Sequence, residues 1–95
     1  MKPSTAIRKA RNYNSLSPIG NQWQVIYRPI GQDYTTSTNS TTYAQAKQWY
    51  KECIASTALE LMGWDAEDTM MVRYNNNGLG TAQELVERCI EERYK

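Results

Sequence analysis

The sequence predicts an α+β domain: a β-hairpin, with a third strand as an option, packs on a long central helix and a C-terminal helix behind a short basic helix. Three observations carry this. From Gln22 to Arg28, Trp23, Val25 and Tyr27 alternate with Gln22, Gln24, Ile26 and Arg28, the two-residue period of a strand. Between Tyr43 and Met62, residues such as Ala46, Trp49, Cys53, Ile54, Thr57, Ala58 and Leu61 recur at helical spacing. A second helical stripe, Leu85, Val86, Cys89 and Ile90, follows Thr81. At 95 residues the chain makes one domain, able to bury roughly 60–70% of its unfolded surface without staples.

The first element runs from Lys2 to Tyr13. Pro3-Ser4-Thr5 opens a helix, Ile7, Ala10 and either Tyr13 or Asn14 fall on one stripe, and Arg8, Lys9 and Arg11 lie on the open side. Asn12 to Gly20, rich in Asn, Ser, Pro and Gly, reads as a loop. After the strand at Gln22–Arg28, Pro29-Ile30-Gly31 makes a turn. The Thr-rich run Gln32–Thr38, with Tyr34 near its middle, then returns as an antiparallel edge strand. Thr42 with Gln45 matches a capping box for the central helix, which spans about 30 Å and ends at the left-handed terminator Gly63.

Trp64–Asp68 is an acidic connector. Thr69–Tyr74 is compatible with a third strand and equally with a short helix, because Met suits both. Asn75-Asn76-Asn77-Gly78 is a loop by composition, and Thr81 with Glu84 forms a second capping box for a last helix ending near Tyr94. Trp23, Trp49 and Trp64 are expected in the core, Tyr43, Tyr50 and Tyr74 at its rim, and Tyr13, Tyr27, Tyr34 and Tyr94 on the surface.

Charge is small overall, +1, but segregated. Lys2, Arg8, Lys9, Arg11 and Arg28 stand in residues 1–32 with no acid, whereas residues 33–95 carry six bases against ten acids. Two readings follow: the halves neutralise one another across the fold, or the first presents a basic patch to an anionic partner.

The aromatic set bears on function. There are three Trp and seven Tyr but no Phe, and the chain has no His. The commonest general base and metal ligand is therefore missing. Trp and Tyr join a large apolar body to a polar handle, a combination enriched at interface hot spots. Cys53 and Cys89 fall on apolar helical faces and read as buried thiols, with a disulfide as the alternative; two sulfurs without His fall short of a zinc site. The acids Asp65, Glu67 and Asp68 do not follow an EF-hand pattern, and Gly78-Leu79-Gly80-Thr81 lacks the Lys of a phosphate loop. The sequence thus points to a binding protein rather than an enzyme, with no cofactor, no metal and no membrane segment. Its expected compartment is the cytoplasm of a host cell.

Two resemblances add to this. The stretch Trp23-Gln24-Val25-Ile26-Tyr27 through Thr41-Thr42-Tyr43-Ala44-Gln45-Ala46-Lys47-Gln48-Trp49 resembles the small sheet-then-helix arm-binding domain of tyrosine recombinases. That resemblance implies a DNA-binding module using the basic helix and the hairpin. The family's sheet is basic, whereas here the second strand is Thr-rich and carries Asp33. In size, single-domain build and lack of catalytic groups the chain is similar to small phage-encoded inhibitors of host defence, of the anti-CRISPR type. This second likeness implies stoichiometric blocking of a host protein or ribonucleoprotein complex, and it is the leading expectation. Arg8, Lys9, Arg11, Arg28 and Tyr34 are the candidate contact residues, with Tyr27 as an aromatic anchor.

Overall fold

The computed structural model describes residues 1–94. Its elements in chain order are α1 (Pro3–Ala10), β1 (Asn14–Ile19), β2 (Gln22–Tyr27), β3 (Thr36–Ser40), α2 (Tyr43–Leu61), α3 (Met71–Asn75) and α4 (Ala82–Arg93), with 3-10 turns at Arg11–Tyr13 and Asp68–Met70. The three strands form one antiparallel sheet in the order β1-β2-β3. The α+β class, the long central helix and the hairpin docked on it are as the sequence predicts. No helix among the described residues is long and apolar enough to cross a membrane.

The third strand lies elsewhere than expected. Asn14–Ile19, read as loop, is β1, and it pairs with β2 in register from Asn14↔Tyr27 to Ile19↔Gln22. Pro18 disguised it: proline cannot donate to a ladder, but β1 is an edge strand and tolerates one. The two-residue connection places Gly20 at φ +58, a backbone region nearly closed to other residues, which lets the chain reverse at once. Conversely, Thr69–Tyr74 is helical. Thr69 Oγ1 donates to the Ala66 carbonyl at 2.6 Å, and Val72 is fully buried against the helical core. The expected strand at Gln32–Thr38 begins later, at Thr36, because its register (Tyr27↔Thr36, Trp23↔Ser40) is set by pairing with β2. Asp33 and Tyr34 therefore sit in the connecting loop.

Helix α2 organises the molecule. Thr42 caps it by accepting from the Gln45 N–H at 3.4 Å, yet the capping box is only half built. Ser40 Oγ, not Gln45, accepts from the Thr42 N–H at 3.1 Å. At the other end Trp64 N–H reaches the Leu59 carbonyl (3.0 Å) and Gly63 N–H the Glu60 carbonyl (2.9 Å), a Schellman closure with Gly63 at φ +101. The box on α4 is complete: Thr81 and Glu84 each receive the other's backbone N–H.

The core lies among the helices. Ala6, Ile7 and Ala10 of α1 meet Ile54, Ala55, Ala58 and Leu59 of α2, Val72 of α3, and Leu85, Val86 and Cys89 of α4. Small residues where α1 touches α2 allow close approach. The sheet covers another side of α2 and contributes one buried apolar residue, Val25. This corrects the expected core: Trp64 is buried, whereas Trp23 and Trp49 are half-buried, since a three-stranded sheet shields only part of each ring. Trp23 instead makes an edge contact with Tyr43, centroids 4.7 Å apart. Tyr74 is 85% exposed rather than at the core rim, and Tyr13 and Tyr27 are half-buried rather than open.

Candidate binding surfaces

The basic segment is held by a polar anchor. Asn14, buried at the junction of α1 and β1, donates from Nδ2 to the Ala10 carbonyl (2.9 Å) and to Thr57 Oγ1 on α2 (3.2 Å). The amide must face this way, because its oxygen would repel the carbonyl. That contact fixes the end of α1 against α2. Arg8 and Lys9 occupy the last turn of α1, exposed, where their charge favours the helix dipole. Arg11 continues the helical backbone one turn beyond Arg8 and shares its side.

Arg11 borders a groove of about 620 Å³ between α2 and the loop that precedes α4. Lys47 and Lys51 of α2 line it, with Tyr50, Ile54, Leu79 and the backbone from Gly78 to Thr81. The loop is folded back by its asparagines. Asn76 Nδ2 donates to Glu52 Oε1 (3.0 Å) and to the Gln48 carbonyl (3.4 Å). Asn76 Oδ1 accepts from Gly78 N–H and Asn77 Oδ1 from Leu79 N–H, both at 3.0 Å. Left-handed backbone falls to Gly78 (φ +80) and Gly80 (φ +82), while the asparagines work through their side chains. Lys51 Nζ donates to the Leu79 (3.3 Å) and Gly80 (3.4 Å) carbonyls, and Arg88 Nη2 also reaches the Leu79 carbonyl (3.4 Å).

Arg28 is joined to the same region from the sheet. Its N–H donates to the Tyr13 carbonyl at 2.8 Å, and its guanidinium lies 4.9 Å from the Tyr13 ring centroid. Arg11, Tyr13 and Arg28 thus form a connected strip. Tyr27 points elsewhere. With Trp49, Cys53, Glu52, Arg73 and Thr36 it lines a cleft of about 580 Å³ between the sheet and α2. Burial pushes the Tyr27 hydroxyl above its usual range, reinforced by the nearby Glu60, Cys53 and Tyr34. Tyr34, on the β2–β3 loop, is 55% exposed. The structure therefore joins Arg11 and Arg28 through the Tyr13 segment beside Arg8, and sets Tyr27 in a separate cleft with Tyr34 exposed on the β2–β3 loop.

Lys47, Lys51 and Tyr13 escaped the sequence reading. For the lysines a signal existed: Ala44, Lys47, Gln48 and Lys51 recur at helical spacing along the edge of the apolar stripe of α2, beside Tyr50 and Ile54. Their convergence with Arg11 and Leu79 had none.

The sheet's open face differs in character. Register places Ser15, Ser17, Ile19, Gln22, Gln24, Ile26, Ser37 and Asn39 on the side away from α2. That surface is amide and hydroxyl with two isoleucines, and it carries no charge. The thiols are both free. Burial raises Cys53 from the ordinary 9.0 to about 11, with the charge of Glu52 adding and Arg73 opposing. Cys89 is raised by burial too, against the opposing effects of an Asn75 contact at 3.9 Å and of Arg88. At neutral pH both are protonated, a poor state for nucleophilic attack. Among the described residues no group of three His, Cys, Asp or Glu side chains is placed to hold a metal ion.

Among the described residues no ion pair within 4 Å joins the basic first third of the chain to the acids of the rest. Among the described residues the ion pair that forms is Arg93–Asp68 (3.4 Å), inside the acidic half. None of Arg8, Lys9, Arg11 or Arg28 has a carboxylate partner there. Comparison with protein-family models, curated proteins and solved structures finds no match.

Proposed function

We propose that this protein is a non-enzymatic interaction module, a phage or mobile-element factor that blocks a host nucleic-acid-handling complex by occluding a surface the complex needs. One observation carries the reading: the basic N-terminal segment is anchored by Asn14 and faces solvent, with no carboxylate partner among the described residues. A cationic strip left open steers anionic or acidic surfaces toward it and raises association rates by about tenfold or more at low salt. An interface of about 800 Å² per partner would use roughly an eighth of the 6047 Å² surface. Arg8, Lys9, Arg11 and Arg28 supply the attraction. Tyr34, exposed on its loop, supplies apolar area at low entropic cost.

The test is capture of the tagged protein with its complex from host lysate, beside a variant carrying Arg8→Ala, Lys9→Ala and Arg11→Ala. The wild type should retain one complex at fixed stoichiometry, and the folded variant should lose most of it. Equal recovery by both would remove the basic strip from the account.

A second reading, direct DNA binding, is favoured by the open sheet face. Three antiparallel strands backed by a helix present Gln22, Gln24 and Asn39, amides of the kind that pair with adenine edges in a major groove. Retardation of duplex DNA, with log affinity falling steeply against log salt, would shift the assignment to this reading.

A further inference from the structure

We infer that the groove between α2 and the 76–81 loop is a docking channel for a short acidic segment of a partner protein, one bearing carboxylates beside a bulky aliphatic side chain. The inference deepens the interaction-module reading and rests on it.

Charge complementarity selects the occupant. Three cations, Arg11, Lys47 and Lys51, line the groove, and no acidic side chain does. Lys47 and Lys51 stand one helical turn apart on α2, about 6 Å, the spacing of two carboxylates on successive turns of a helix or at alternate positions of an extended strand. Lys51 is already positioned by the Leu79 and Gly80 carbonyls, so little of its side-chain freedom remains to be lost on binding. Both contacts are to neutral oxygens, and among the described residues no carboxylate lies within ion-pair distance of it.

The floor and lip exclude a polyphosphate chain as the better fit. Leu79 is 70% exposed at the lip, and Tyr50 and Ile54 lie beneath it. A partner that covers Leu79 removes apolar surface from water at about 25 cal/mol per Å², a gain unavailable to a phosphate backbone. The N-terminus of α4, at the end of the same loop, is already satisfied. Glu84 accepts from the Thr81 N–H (3.3 Å) and from Thr81 Oγ1 (3.2 Å), so it offers no free anion seat and its carboxylate opposes dense negative charge. A peptide with sparse carboxylates and one apolar anchor meets all of these constraints.

The experiment is selection of a displayed random library of 12-residue peptides on the intact protein, followed by fluorescence anisotropy with the enriched sequences. The channel predicts acids flanking Leu, Ile or Met in the enriched set. Replacing the peptide's acids by amides should weaken binding by at least about tenfold. So should Arg11→Gln with Lys47→Gln, two exposed positions, with the melting temperature read beside the binding to show that the fold is kept. Leu79→Asp is a second, independent variant with the same expected loss, and Tyr74→Ser, at an exposed position on α3 outside the groove, serves as a control that keeps peptide binding. Failure to enrich acidic sequences, or equal binding by the groove variants, overturns the inference. So does displacement of the peptide by a 20-base-pair DNA duplex at equal concentration, or Lys47-dependent self-association in the ultracentrifuge. None of these results requires the host complex, so a failure of the channel is distinguishable from a failure of the occlusion reading.

Discussion

Replacing Asn14 by Ala should destabilise the protein by about 1–2 kcal/mol. Asn14 is 7% exposed and donates two hydrogen bonds, to the Ala10 carbonyl and to Thr57 Oγ1 across 43 residues of sequence. A typical intramolecular hydrogen bond contributes about 1 kcal/mol net, and a buried acceptor stripped of its donor loses about 1–3 kcal/mol of solvation. One effect opposes these: Asn14 Oδ1 is itself buried without a partner, and truncation removes that burden. The sum lies near the lower figure. For a domain of this size about 1 kcal/mol moves the melting midpoint by about 4–8 °C. Thermal and urea melts followed by circular dichroism measure it. A surface-loop asparagine would change stability by less than about 0.5 kcal/mol, and a midpoint shift that small would refute the anchor. Thr57→Val closes a double-mutant cycle. Coupling near 1 kcal/mol is expected, and strict additivity would mean that the bond contributes nothing.

Thr81→Ala should cost about 1 kcal/mol by removing half of the α4 capping box, and Thr81→Ser should restore most of it; equal stability of all three proteins would discount the cap. The Arg93 guanidinium carbon lies 4.2 Å from the Trp64 ring centroid, and its ion pair with Asp68 is partly exposed. Arg93→Lys should therefore cost about 0.5–1 kcal/mol and Asp68→Asn less than about 0.5; the reverse order in melts would make the ion pair dominant. The fold favours the neutral Cys53 thiol, so its contribution to stability is complete below pH 9.0 and is lost as pH rises to about 11. In a Cys89→Ala background, Cys53 should react with iodoacetamide at pH 8 about a hundredfold more slowly than a free thiol. A rate equal to that of the free thiol would contradict the burial.

Patterns written in neighbouring residues were legible, and patterns created by distant pairing were not. Helix α2 announces itself through Thr42, a long apolar stripe and Gly63, and α4 through Thr81 and Glu84, because caps and periodicity are local. Strand β1 does not: Ser15, Ser17 and Pro18 have weak strand preference, and the segment is extended only because β2 lies beside it. Thr69–Tyr74 was ambiguous until burial of Val72 in the helical core decided it. The basic residues Arg8, Lys9 and Arg11 were visible as a cluster. The groove was not, since it exists only where Asn76 reaches back 28 residues to Gln48 and sets Leu79 near Lys51.

Every other regular element of the fold touches α2: α1, the three strands, α3 and α4 all lean on it. The helix therefore works as an axle, and nothing mounted on it can come loose without exposing the shaft. The protein should melt in one step, with the slowest amide exchange along that rod. Whatever clamps either the groove or the sheet should slow exchange at both, because the two share a single mechanical spine.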